Sequence, residues 1–334
     1  MNILSTVKLS DMKASNSRLT SDTAPRIAVF VGATSGIGKA TLTRLVAQQT
    51  ALKVYVVGRN AEKQKSFINQ LQQSNEKAQI IFIEGEISLM ADTKRIYNEI
   101  KSKERSIDAL FLSAGYIPWG GREKTSERID TFSALAYYGR ILFILNLLPL
   151  LKASPHSPRI VALGGAGLIN PNLFLEDLDL DQLDHYTMRN TIDHVATCST
   201  FTLSHLADEN PDVVFVFANP GLVVTDIYNH GWGGRIYLRM FVGLIKPLMR
   251  MFAVPAEDAG ERCLYLLTSA RFGRKGAEEV SRALTMKKAE EGGLFCVTWK
   301  VESVFWETFL TEEQRQELEE KAWAKAQEVL KPYL

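Results

Sequence analysis

The chain has 334 residues, 46% hydrophobic and 23% charged, enough to bury a large single core. Its formal net charge of +1 gives no general attraction to nucleic acid or to an anionic membrane surface. Cys198, Cys263 and Cys296 are far apart and form no Cys-x-x-Cys pair. That excludes a disulfide framework and a structural zinc site, leaves no metal to expect, and fits a reducing, cytoplasmic setting.

Lys8, Asp11, Lys13 and Arg18 break up every apolar run in the first 24 residues, so no signal-peptide core is expected there. From Arg26 onward, strand and helix signals alternate. Ile27 to Val31 reads as a buried strand and Ile37 to Gln49 as a helix, followed by a strand at Val54 to Val57 and a helix at Ala61 to Gln73. Strands at Ile80 to Ile83 and Ala109 to Leu112 flank a helix at Ala91 to Lys103, and one long helix covers Arg128 to Leu151. The apolar part of that helix, Ile141 to Leu151, contains Asn146 and Pro149 and is too short to span a bilayer, so no integral membrane segment is expected. Strands at Ile160 to Leu163 and Val213 to Phe217 bracket a helix at Asp193 to Ala207. The tail reads as a helix at Ala256 to Thr268, a strand at Leu294 to Trp299 and a charged, solvated helix at Thr311 to Val329. In the loop before the Asp193 helix, Glu176 to Asp181 alternates Leu with Asp, the pattern of a half-buried edge. The βαβα alternation predicts an α/β fold, a Rossmann-type doubly wound parallel sheet in a single domain with helical extensions at both ends. The expected bounds are 1–24 for the N-terminal extension, 25–300 for the domain and 301–334 for the C-terminal helix.

The first strand runs into Gly32-Ala33-Thr34-Ser35-Gly36-Ile37-Gly38, which opens a helix. Glycines there permit a sharp turn and close approach of a pyrophosphate, and the helix start offers free N–H groups. Strand before and helix after make the motif specific. The second strand ends Gly58-Arg59-Asn60 with no carboxylate to receive ribose hydroxyls. Arg59 offers a planar fork suited to a 2′-phosphate, so NADP(H) is the expected cofactor, with Asn60 expected beside it.

The spacing Gly-x-x-x-Gly-x-Gly resembles the short-chain dehydrogenase/reductase family. So do Ser113-Ala114-Gly115 after the fourth strand and Pro220-Gly221, Val223 and Thr225 after the sixth. The resemblance covers about Arg26 to Thr268. The "SDMKASNSR", "AVFVGATSGIG" and "HVAT" stretches are more specifically similar to a fungal branch, several of whose members are associated with natural-product pathways. It implies that Ser113, Ala114, Gly115, Pro220, Gly221, Val223 and Thr225 lie near the nicotinamide end and Glu86 beside the adenine. It also implies that 226–252, rich in Tyr, Trp, Leu, Met and Phe, folds over a bulky, apolar small-molecule substrate.

The family's proton relay uses a tyrosine, a lysine four residues later, a serine and an asparagine. Counting back without a gap from Pro220, the lysine position falls on His194 and the tyrosine position on Asn190. The serine position falls on Gly165 and, anchored on Gly139, the asparagine position on Ala136. All four are then substituted. His194 is the expected acid or base, beside the nicotinamide ribose; Asn190 holds the tyrosine's place, and Tyr186 and Asp193 are the next candidates. Two outcomes follow. One is an enzyme of atypical site, performing non-standard carbonyl reduction or a non-redox step such as cyclisation, isomerisation or dehydration. The other is a catalytically silent NADP(H)-binding or regulatory protein. Family members often pair through the two long helices, which implies a homodimer unless the extra termini block it.

Overall fold

In the computed structural model, residues 6–119, 121–225, 253–273 and 282–334 are described, with isolated positions between 240 and 251. The segment expected to cover the substrate, 226–252, therefore lies largely outside the described residues. The chain runs α1 (Leu9–Asn16), β1 (Ile27–Val31), α2 (Gly36–Val46), β2 (Leu52–Gly58), α3 (Ala61–Ser74), β3 (Ala78–Glu84), α4 (Met90–Lys103) and β4 (Ala109–Leu112). A short turn α5 (Thr131–Ser133) leads into α6 (Gly139–Lys152), then β5 (Arg159–Leu163), α7 (Met188–Glu209) and β6 (Val214–Ala218). Helix α8 (Ala256–Thr268), β7 (Leu294–Val297) and α9 (Glu312–Leu330) complete it.

Among the described residues the seven strands form one sheet in the order β3-β2-β1-β4-β5-β6-β7, every pair parallel. Parallel strands are covered on both faces, which is why β1, β4, β5 and β6 are near-continuous apolar runs. One core cluster packs Val29, Leu110 and Phe215 against α4, α6, α7 and α9. The other packs Phe30, Phe111 and Val216 against α2 and α8. The chain reverses direction across the sheet between β1 and β4, and there the carboxyl ends of the strands open a crevice.

The helix expected over Arg128 to Leu151 is in three pieces. Between α5 and α6, Ala134–Tyr138 is a π-turn, closed by Gly139 N–H to the Ala134 carbonyl. Gly139 permits this tightness, because a Cβ there would lie 2.7 Å from the Ile87 carbonyl oxygen and 2.9 Å from that of Ala134. One extra residue in the turn re-aims the side chains on either side of it. The continuous segment Thr131–Lys152 is long and apolar enough to cross a membrane by length and composition, and 67% of its most apolar window is buried within the protein.

The termini are docked against the domain. Helix α1 lies on α8, with Lys13 Nζ 2.8 Å from Asp258 and Asn16 Nδ2 donating to the carbonyl and carboxylate of Glu261. Helix α9 is not the solvated helix expected. It packs on α7 and buries Leu318, Ala322, Ala326 and Leu330 at intervals of four, the stripe of an amphipathic helix. Its N-terminus is held by a reciprocal capping pair of Thr311 and Gln314. The acidic alternation serves as a latch rather than a free edge. Asp179 accepts from the Tyr138 hydroxyl at 2.6 Å and pairs with Lys325 at 3.0 Å, while Asp181 pairs with Arg122 at 2.6 Å.

Candidate functional site

A cleft of about 450 Å³ lies over the carboxyl ends of β1, β2, β4, β5 and β6. The loop from β1 to α2 forms its floor, with Gly32, Thr34, Ser35, Gly36, Ile37 and Gly38 all lining it. The close packing there is glycine-dependent. A Cβ at Gly32 would lie 2.4 Å from the Ala114 backbone nitrogen, and one at Gly38 2.4 Å from the Ser113 hydroxyl. Ser35 gives α2 no side-chain cap, so the N–H groups of its first turn are left to a ligand. A dinucleotide pyrophosphate fits this cradle.

Arg59 and Glu86 stand together on the cleft wall, Nη1 to Oε2 3.4 Å apart. Glu86, from beyond β3, thus lies beside Arg59. Ser88 ties Glu86 through its backbone N–H and its hydroxyl, and the Arg59 side chain remains 67% exposed. Asn60, expected beside the cofactor, does not line the cleft. It sits in the left-handed region at φ 59° and caps α3, accepting from Lys63 N–H at 3.0 Å. A left-handed Asn at a cap is locally satisfied, so its amide is not directed to a ligand.

Ser113, Ala114 and Gly115 line the middle of the cleft, and Pro220, Gly221, Val223 and Thr225 its far wall. The Ser113 hydroxyl donates to the Gly32 carbonyl at 3.2 Å, tying β4 to the glycine loop. Ala136 and Gly165, the positions counted for the asparagine and serine, also face the cleft.

The four expected catalytic residues do not. Helix α7 presents Ile192, Val195, Ala196 and Ser199 to the cleft, so the pairs four residues apart at this wall are Ile192 with Ala196 and Val195 with Ser199, neither of them a tyrosine and a lysine. Ile192 and Ala196 lie two residues beyond Asn190 and His194, the positions counted from Pro220. On a helix of 3.6 residues per turn that swings a side chain by about 200°. His194 is 3% exposed and accepts from the Phe174 N–H at Nε2, 3.2 Å away, among Tyr138, Asp179 and Cys198. Burial lowers its pKa below the ordinary histidine value. Asn190 donates to the His185 carbonyl at 2.8 Å, and Asp193 accepts from Asn170 at 3.1 Å. The Tyr186 hydroxyl donates to Asp130 at 2.9 Å, and burial with that carboxylate raises its pKa. The three cysteines are buried, and each thiol is pushed up to about 12 by burial, so none serves as a nucleophile at neutral pH.

Among the cleft residues that the sequence motifs do not mark are Tyr116 and Arg140. Tyr116 follows Gly115 and packs edge-on against Phe132, ring centroids 5.7 Å apart. Burial raises its pKa, reinforced by Asp130 and Glu123, so the phenol stays protonated at neutral pH. Arg140 is 7% exposed and reaches the cleft from α6. It is the one charge in the apolar run from Gly139 to Leu151, and that isolation was the available signal. Around Tyr116 and Arg140 the inner end of the cleft is lined by the apolar side chains of Phe132, Leu135, Leu168, Ile192 and Val195, with Ser199 also on the α7 wall.

Residues 26–173 match the profile of the family described as short chain dehydrogenase. An oxidoreductase of Emericella nidulans, AN1596, is 34% identical over 305 residues, covering 88% of this chain and 89% of its own. The oxidoreductase lepF of Aspergillus flavus is 32% identical over 78% of this chain and 80% of its own length. Among solved structures, the Pseudomonas aeruginosa RhlG/NADP active-site complex superposes with a TM-score of 0.54 at 20% identity, over 77% of this chain and 94% of that one.

Proposed function

The chain belongs to the short-chain dehydrogenase/reductase family and is an oxidoreductase-type enzyme of fungal kind; from that premise we propose that its cleft holds NADP(H) and acts on an apolar organic molecule without the family's tyrosine–lysine pair. One observation carries this reading. A single cleft joins the glycine cradle and Arg59 at one end to an apolar pocket walled by Ile192, Val195 and Ala196 at the other. When bound, the nicotinamide cofactor supplies the hydride-transfer chemistry.

The chain's own residues divide the remaining work. The first turn of α2 and the Arg59 guanidinium hold phosphates. The apolar wall excludes water from the reacting carbon and selects a greasy substrate over a sugar. Tyr116 holds a proton at the cleft, where Ile192 and Ala196 hold none. The apolar face of α7 also gives weight to a second reading, in which the same pocket carries out a non-redox step on a cofactor that is not consumed.

Titration by NADPH fluorescence tests the first reading. NADPH is expected to bind more tightly than NADH, and Arg59→Ala to remove most of the difference, about 1.5–3 kcal/mol for one charge-assisted contact. Equal affinity for the two in the wild-type protein would overturn the cofactor assignment. Oxidation of bound NADPH by apolar ketones separates the redox reading from the non-redox one.

A further inference from the structure

Among the described residues Arg140 is a buried cation without a counter-ion. Its Nη1 donates to the Leu163 carbonyl and its Nη2 to the Ala114 carbonyl at 2.6 Å. A guanidinium has five N–H donors, so most remain after these two bonds. Among the described residues the Nε has no acceptor and no carboxylate forms an ion pair with this side chain. Burial brings its pKa down only to about 10, so it remains charged at neutral pH. Arg159, at the opposite end of β5, makes a useful contrast. Its guanidinium bonds the Leu266 and Ser269 carbonyls where α8 ends, and the negative end of a helix stabilises a cation. Arg140 faces the cleft instead.

Glycine leaves that face open. A Cβ at Gly115 would sit 3.5 Å from Arg140 Nη2, and one at Gly164 would sit 3.6 Å from Nη1. Either side chain would begin to cover the guanidinium edge, and neither residue carries one. A buried cation held by two carbonyls and left bare on its remaining edge is costly unless an anion completes it. The planar fork with free N–H groups matches an oxygen pair or a single charged oxygen.

We propose that Arg140 makes the inner end of the cleft an oxyanion site, which takes a carboxylate or ionised enol on an otherwise apolar substrate. This rests on reading the cleft as a small-molecule site, and it names the polar group that the apolar walls leave unspecified. In the site, one N–H edge of Arg140 binds the anionic oxygen while Ile192 and Val195 hold the hydrocarbon.

Calorimetric titration with benzoate and with its neutral counterpart benzamide tests this, using protein saturated with NADPH so that the phosphate cradle is filled. Benzoate is expected to bind at least tenfold more tightly than benzamide. Arg140→Met is expected to abolish that preference. Because removing a buried arginine can disturb folding, Gly115→Ala is the second variant. No positive φ restricts position 115, and the arginine is the sole heavy-atom neighbour its new methyl would meet beyond its chain neighbours. It should fold with an unchanged Tm and still lose the benzoate preference by tenfold or more. Benzoate binding no better than benzamide would overturn the assignment, as would a preference that survives in both variants. If NADPH itself fails to bind, the cofactor reading falls. The benzoate comparison between wild type and Gly115→Ala, made on the free protein, then still decides the role of Arg140.

Discussion

His194 and Ile192 are two residues apart on one helix and have opposite fates: one is sealed among side chains, the other forms the wall of the cleft. The chemistry open to the protein therefore differs from what titratable residue types alone suggested. Among the described residues Tyr116 is the phenol at the cleft, and Tyr116→Phe should lower kcat on a reducible substrate. The effect belongs at the low end of general-acid contributions, about 10²-fold, because an acid with so high a pKa parts with its proton late. NADPH affinity should change little. Unchanged kcat would move proton supply to a bound water or to Ser199.

His194 acts instead on stability. Burial is the main cause of its lowered pKa, with the Leu178 backbone, Asp177 and Asp193 opposing and His185 adding to the depression. The unfolded chain holds the proton more strongly than the folded one, near the ordinary value of 6.5. Stability is therefore full above that pH and declines as pH falls through it toward the folded pKa. Denaturant midpoints measured from pH 7.5 to pH 5 should fall, and His194→Gln should flatten the part of that fall lying near 6.5. An identical pH profile in the variant would show that His194 does not set the slope.

At the scale of elements, the terminal helices are part of the core. Met12 on α1 is 1% exposed and lies in the same cluster as Leu264 and Leu267 of α8. Met12→Ala should cost about 2–5 kcal/mol, the usual range for a large-to-small change at a buried site. Chemical denaturation reads this directly, and a loss below about 0.5 kcal/mol would mean that α1 is only loosely docked. The π-turn at Ala134–Tyr138 has the opposite relation to function. It places Leu135 and Ala136 on the cleft while Tyr137, on the other side, hydrogen-bonds Thr202 of α7 at 2.7 Å.

For the whole molecule, α9 decides what the outer face of α7 is free to do. Tyr137 donates to the Ala322 carbonyl at 3.1 Å, and the His205 ring lies 4.8 Å from that of Trp323. The pairing through α6 and α7 implied by the family resemblance would need the face that α9 occupies. The protein is expected to be a monomer, with a light-scattering mass near 37.4 kDa. A mass of twice that would place the pairing surface elsewhere on the molecule.

The sequence by itself determined the layered α/β architecture, because parallel strands buried on both faces must be short apolar runs and the helices between them must be amphipathic. Ile27–Val31, Ala109–Leu112 and Ala256–Thr268 have the bounds that pattern predicts. It also determined the floor of the cleft, since the glycines of 32–38 are required by close backbone approach, a local constraint that spacing displays. Tertiary structure alone decided the chemical end. Which face of α7 meets the cleft depends on helix rotation, and a count made back from Pro220 crosses the turn between Glu209 and Val214, where any difference in length shifts every position on α7. The setting of Arg140 depends on two carbonyls and two glycines at the carboxyl ends of different strands. No sequence interval records that meeting, because it exists only once β4, β5 and α6 are packed together.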